Sequence, residues 1–249
     1  MYPSGNLLIP APHGRLEAIL KEPRVLPPLG VALVLHPHPL GGGTMHNKVV
    51  FRAAAALNDA GLLTLRINFR GVGQSTGTHD EGRGELDDVR VALDYLSGKY
   101  PGLGYESGMG VPPMVLAQEA SAPTTHAQDA HATAHAQPIT LCGFSFGARV
   151  GLEVGIADER VKNLVSIGTP IAKYDFGFLT TCRKPILFVH GSRDEFGTPD
   201  ELKKLISQLG PDVDVQLVVI PDADHFFEGH LDELKQAITA WAKERINSI

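Results

Sequence analysis

Residues 139–151 read Ile139-Thr140-Leu141-Cys142-Gly143-Phe144-Ser145-Phe146-Gly147-Ala148-Arg149-Val150-Gly151, and their interpretation decides the fold. A short apolar run ends at a Gly-x-Ser-x-Gly turn and passes directly into small residues suited to a helix. Strand, sharp turn and helix in that succession force the central serine into a strained backbone conformation with its hydroxyl exposed. Side chains two positions to either side would collide across such a turn, which accounts for glycine at 143 and 147. Ser145 is therefore a candidate nucleophile.

Working outward, Val31–Leu35 is a continuous apolar run stopped by Pro37, the pattern of a strand buried on both faces. Before it stand two extended segments, Asn6–Ile9 and Arg15–Glu22. After it come a helix over 46–60, a strand over Leu62–Phe69, and a helix over 82–98 whose Leu86, Val89, Leu93 and Leu96 recur at helical spacing. From Pro138 the pattern predicts strand 139–144, helix 146–157, strands 161–167 and 185–190, helix 199–209, strand 213–220 and helix 229–247. Strands alternating with helices imply the α/β class: a mostly parallel central sheet with helices on both faces. Residues 1–249 are read as a single domain, interrupted at about 102–137 by a low-complexity insertion rich in Ala, Pro, Thr, Gln and His. Its His126, His131 and His135 lack the rigid surroundings that metal ligands need.

The 249 residues are 43% hydrophobic and 20% charged, which excludes wholesale disorder. A net charge of −6, with no Lys/Arg block longer than two, excludes the electrostatic footprint of a nucleic-acid partner. No apolar stretch approaches the length of a membrane span, and the start MYPSGNLLIPAPHGR lacks a cationic head followed by an apolar run. A cytoplasmic protein without membrane insertion is expected. The two cysteines, Cys142 and Cys182, show neither zinc nor redox spacing.

A serine hydroxyl is a weak nucleophile that needs a histidine base, and the histidine needs an acid to fix its tautomer. Strand 185–190 is followed by Gly191-Ser192-Arg193-Asp194-Glu195, and strand 213–220 by Pro221-Asp222-Ala223-Asp224-His225-Phe226-Phe227. Ser145, Asp194 and His225 thus each follow the carboxyl end of a strand, where sites of open α/β sheets gather, in the order Ser…Asp…His. Glu195, Asp222 and Asp224 are rival acids. The last two are close to His225 in sequence for reaching behind its ring. His190 ends a buried strand and is read as a core or supporting histidine. His36, His38 and His46 alternate with prolines and show no metal-ligand framework. Gly71-Val72-Gly73-Gln74-Ser75-Thr76-Gly77 is not a dinucleotide fingerprint, since its third glycine comes one residue late. Arg70 beside it is expected to tie this loop to Asp87 or Asp88.

These motifs together resemble the α/β-hydrolase superfamily. Within it the chain is similar to the small group of dienelactone-hydrolase-like proteins and predicted bacterial serine esterases. The resemblance is carried by His36-Pro37, Gly42-Gly43-Thr44-Met45-His46-Asn47-Lys48-Val49-Val50, Asn68-Phe69-Arg70-Gly71-Val72-Gly73-Gln74-Ser75, Gly84-Glu85-Leu86-Asp87-Asp88 and Gly143-Phe144-Ser145-Phe146-Gly147. It covers about 31–101 and 138–245, and implies the α/β-hydrolase fold. Phe146 supplies one oxyanion-hole N–H. In the His36–Leu40 loop, Pro37 and Pro39 have none to give, leaving His38 or Leu40, and the resemblance favours His38 with Leu40 as fallback. A cap in this superfamily enters after the sixth strand. Here that stretch runs only from Gly168 to Lys184, so no large cap domain is expected. Phe144, Tyr174, Phe176 and Phe226 are candidate walls of an apolar substrate pocket, with Phe178 and Leu179 beside them.

The implied activity is a serine hydrolase of the carboxylesterase kind, cleaving a small-molecule ester through an acyl-enzyme without cofactor or metal. Peptidase, amidase or thioesterase chemistry on the same triad is the alternative, as is a non-catalytic binding protein on the same fold. No pattern in the sequence specifies an oligomeric state.

Overall fold

A computed structural model describes residues 5–100 and 138–247. The predicted insertion at 102–137 lies outside the described residues. Among the described residues there are eight strands and five α-helices: β1 (Gly5–Ala11), β2 (Gly14–Lys21), β3 (Gly30–Leu35), α1 (Lys48–Asp59), β4 (Leu62–Ile67), α2 (Arg83–Lys99), β5 (Ile139–Phe144), α3 (Phe146–Ala157), β6 (Val161–Ile167), β7 (Ile186–Gly191), α4 (Pro199–Ile206), β8 (Val215–Ile220) and α5 (Leu231–Asn247). The strands form one sheet in the order β1-β2-β4-β3-β5-β6-β7-β8. β1 pairs with β2 and β2 with β4 antiparallel, and every later pairing is parallel.

Why a central strand reads as an apolar run is visible in β3. Val31, Leu33 and Leu35 join the core beneath α2 and α3, while Ala32 and Val34 join the second core beneath α1 and α5. Alternate side chains leave opposite faces of a strand, so a strand covered on both sides has no polar face to keep. Each such Leu or Val contributes about 1.5–3 kcal/mol by leaving water. Trp241 of α5 and Phe69 after β4 are among the largest buried side chains.

The chain reverses its direction of travel across the sheet between β3 and β5: β4 lies to one side of β3 and β5 to the other. Loops leaving the two strands therefore part and open a crevice at their carboxyl ends. Leu35 pairs with Gly143, so the loop after β3 and the turn after β5 start side by side. Gly191 pairs with Ile220, which brings together the loops carrying Asp194 and His225.

Element boundaries moved where side chains took over backbone partners. α1 begins at Lys48 because the Asn47 side chain accepts the Val49 N–H. β4 stops at Ile67 because the Phe69 N–H donates to His36 Nε2 instead of continuing the ladder. α4 ends at Ile206, after which Gln208 and Leu209 make tighter turns to Leu205 and Ile206. β8 starts at Val215, the turn at Gly210 having claimed the Val213 N–H. The stretch between β6 and β7 holds only a short 3-10 turn, Gly177–Thr181, and among the described residues there is no large cap domain.

Candidate active site

Ser145 sits at φ 55 and ψ −118, a left-handed conformation that costs a non-glycine residue stability and recurs at functional turns. The turn closes so tightly that a Cβ on Gly143 would lie 2.2 Å from the Gly147 carbonyl oxygen, and one on Gly147 would lie 2.6 Å from that of His36. The Ser145 N–H donates to the Ile167 carbonyl at 2.9 Å, anchoring the turn to β6. Phe146 is the first residue of α3, so its N–H lies ahead of the first helical hydrogen bond and points outward from the helix start.

The structure brings Ser145, His225 and Asp194 into one line. His225 Nε2 is 2.9 Å from Ser145 Oγ, and its Nδ1 is 2.9 Å from each carboxylate oxygen of Asp194. An acid on Nδ1 holds the ring proton there and leaves Nε2 free to accept from a hydroxyl. Asp194 is itself fixed by the Phe196 N–H at 2.9 Å. Both His225 and Asp194 are buried. Phe144 packs under the imidazole with centroids 5.1 Å apart, and Phe196 and Phe226 flank it at 4.3 and 5.2 Å. The rival acids are engaged elsewhere: Asp222 pairs with Arg193, Asp224 accepts the Glu228 N–H, and Glu195 meets only the backbone N–H of His225.

A cleft of about 380 Å³ opens over Ser145 and His225. Pro37, His38, Gly41–Gly43 and Asn47 form one wall; Pro170, Lys173, Tyr174 and Phe196 form the other, with Phe226 at the edge. Of the four aromatic walls expected from the sequence, Tyr174 and Phe226 line this cleft. Phe144 does not, because it lies in the core beneath His225, and neither does Phe176, whose ring is buried in the α2–α3 core. The wall that sequence reasoning missed is Phe196. Its signal was its place two residues after Asp194, on a loop already assigned to the site. His38 borders the cleft, but Leu40 does not serve as the fallback donor. Its N–H is taken by His38 Nδ1 at 3.2 Å and its side chain is 77% exposed.

The surrounding polar groups brace these loops. Arg70 closes on Asp88 through its backbone N–H at 2.8 Å and its guanidinium at 2.8–3.2 Å, whereas Asp87 pairs with Arg90 at the surface. His190 is buried and meets the Gly197 carbonyl at 2.7 Å, with Asp194 Oδ2 at 3.7 Å, so it supports the acid's loop. Burial, followed by the neighbouring His79, lowers the pKa of His38. Among the described residues, no group of three His, Cys, Asp or Glu is placed to hold a metal ion, and no helix is long and apolar enough to cross a membrane.

His36 joins the ends of β3 and β4. It is fully buried, with Nδ1 2.6 Å from the Pro37 carbonyl and Nε2 accepting the Phe69 N–H at 3.0 Å. That arrangement uses the neutral ring, and burial lowers its pKa from 6.5 to about 4. Between those two values the unfolded chain binds the extra proton. Stability from this group is full above pH 6.5 and is lost as the pH falls toward 4, by roughly 3 kcal/mol in all. Urea unfolding of the native protein and of His36→Gln, followed from neutral pH downward, is expected to show the native advantage shrinking with acidification. Carboxylates titrating in the same range cancel in that difference; a gap independent of pH would contradict the account.

A family model described as an alpha/beta hydrolase domain matches residues 112–245. An uncharacterized protein of Rickettsia prowazekii is 34% identical over 233 residues, covering 91% of this chain and 84% of that protein. An alpha-beta serine hydrolase homologue from Coxiella burnetii superposes with TM-score 0.77 at 32% identity, covering 96% of this chain and 98% of the other. A serine hydrolase without lid from Xanthomonas campestris gives TM-score 0.77 at 29% identity, covering 98% and 96% of the two chains.

Proposed function

The chain belongs to the alpha/beta hydrolase family, and from that premise we propose that it is a serine hydrolase that cleaves carboxylic esters through an acyl-enzyme at Ser145. The observation that carries the proposal is the 2.9 Å approach of Ser145 Oγ to a histidine nitrogen whose opposite nitrogen is held by a buried carboxylate. On attack, the hydroxyl proton passes to His225 Nε2 as Oγ bonds to the ester carbonyl carbon. The resulting imidazolium is stabilised by Asp194. Collapse of the tetrahedral species expels the alcohol, which takes the proton from His225. Water then repeats the sequence in reverse roles, releasing the acid and restoring Ser145.

The N–H groups of Phe146 and His38 are the proposed oxyanion donors. Donors fixed in the backbone before reaction need no reorganisation as charge develops, and one of them contributes about 3–4 kcal/mol of transition-state stabilisation. Tyr174, Phe196 and Phe226 suit an acyl or aromatic group, and the short stretch between β6 and β7 places no cap over them. An amide or thioester would use the same groups, so leaving-group preference is a matter for assay.

The direct test is labelling with a fluorophosphonate probe, located by peptide mapping, alongside a panel of acyl esters, amides and thioesters. Modification is expected at Ser145 with turnover of short esters. A protein that takes no label and hydrolyses nothing would instead be a binding protein on this fold.

A further inference from the structure

The cleft over Ser145 is walled by neutral side chains, glycines and the two histidines, with one exception. Among the described residues that line it, Lys173 alone carries a fixed charge, and none is an Asp or Glu that would neutralise it. Of the carboxylates close by in sequence, Asp194 is held by His225, while Glu195 and Asp175 accept the His225 and Gly177 N–H groups, and none of the three forms an ion pair with Lys173. Among the described residues, no carboxylate lies within ion-pairing distance of the Lys173 ammonium. This stands out in a chain whose net charge is −6.

The ammonium is also positioned. Its nitrogen lies over the Phe196 ring, 5.3 Å from the centroid, a cation–π contact that holds the flexible stem against the cleft wall. The same ring lies 4.3 Å from the His225 imidazole. Lys173 Nζ is therefore no farther from the imidazole centroid than the sum of those two distances. A carboxylate that reaches Nζ while its own molecule presents an ester carbonyl to Ser145 therefore lies within about six bonds of that carbonyl, at about 1.2 Å of advance per bond. Lys173 is exposed at the rim of the cleft, so the pairing is open to screening by salt, and its strength is that of a charge-assisted hydrogen bond, about twice that of a neutral one.

We infer that this cleft selects esters bearing a carboxylate a few bonds from the scissile carbonyl, and that Lys173 is the residue that recognises it; the inference rests on the esterase reading above. The carboxylate belongs either to the acyl part, as in a half-ester of a short dicarboxylic acid, or to the alcohol part, as in an acylated hydroxy acid. Two matched pairs separate these. The para-nitrophenyl half-ester of glutaric acid is compared with para-nitrophenyl pentanoate, and the butanoyl ester of a terminally hydroxylated pentanoic acid with pentyl butanoate.

For each pair the quantity read is kcat/KM of the anionic ester divided by that of its neutral partner. In the native protein one of the two ratios is expected to favour the anion. Lys173→Met lowers that ratio about tenfold, Lys173→Glu lowers it further, and Lys173→Arg keeps it. Raising the salt from about 0.01 M to about 1 M reduces the native preference and leaves the Lys173→Met ratio unmoved. The pair that responds identifies the side of the ester that carries the charge. Fluorophosphonate labelling of every variant reports that its Ser145 site is assembled. Ratios that are the same in the native protein, Lys173→Met and Lys173→Glu for both pairs, in labelled proteins that hydrolyse the neutral esters, would overturn the carboxylate subsite and leave the esterase reading standing. No label and no turnover in the native protein would remove both.

Discussion

Ser145→Ala is expected to lower ester turnover by about four orders of magnitude or more, equivalent to at least about 5.5 kcal/mol of lost transition-state stabilisation. Oγ is the atom that would bond to the substrate carbon, and among the described residues Ser145 is the hydroxyl in hydrogen-bond contact with His225 Nε2. The residual rate over water would come from the oxyanion donors and substrate positioning, which the substitution leaves in place. Fold stability is expected to change little. Alanine is smaller than serine, keeps the same strained φ of 55, and gives up one hydrogen bond at the floor of an open cleft. Circular dichroism and a melt within a few degrees of native accompany the lost activity in this account. More than about a tenth of native kcat/KM remaining would take Ser145 out of the reaction.

Much of the architecture was legible because two periodicities dominate it. Strands buried on both faces are predominantly apolar, so β3 and β7 stand out as short apolar runs, with β4, β5 and β6 close behind despite Thr64, Arg66, Thr140, Lys162, Asn163 and Ser166, and α2 repeats its leucines at helical spacing. The Gly143–Gly147 turn was legible for a different reason: backbone atoms approach where any Cβ would be, so only glycine fits, and that constraint is written in the sequence. What escaped is set by side-chain direction. Phe176 and Tyr174 are two residues apart on the same segment, yet one ring turns into the core and the other lines the cleft. No periodic rule governs an irregular loop, so hydrophobicity alone could not separate them. The residue type of Phe196, two positions after the acid, likewise does not tell a ring turned into the cleft from one turned into the core. The His36 brace was hidden because its partners, the Pro37 carbonyl and the Phe69 N–H, are backbone groups with no signature of residue type.

Asp194→Asn tests the assignment on which the proposed base depends, and it is expected to cost a further severe loss, on the order of 10⁴ in kcat at neutral pH. The carboxylate holds His225 Nδ1 from both oxygens at 2.9 Å, which requires the ring proton on Nδ1 and leaves Nε2 as acceptor. An asparagine in the same place offers an N–H that favours the opposite tautomer. Nε2 would then carry the proton and could not take one from Ser145. Because the asparagine carbonyl can still accept the Phe196 N–H, the loop after β7 keeps its anchor, and the loss falls on chemistry more than on folding. The three neighbouring acids give the contrast. Asp222 is tied to Arg193, Asp224 to the Glu228 N–H, and Glu195 touches the backbone of His225 but not its ring. Asp222→Asn, Asp224→Asn and Glu195→Gln are therefore each expected to stay within a few fold of native kcat. If Asp224→Asn proved the crippling change while Asp194→Asn kept more than about a tenth of the activity, the loop after β8 would hold its own acid and the assignment of Asp194 would be wrong. The exchange is informative because Asp194 touches the imidazole and Asp224 adjoins it in sequence, and only the carboxylate that fixes its tautomer should be irreplaceable by its isosteric amide.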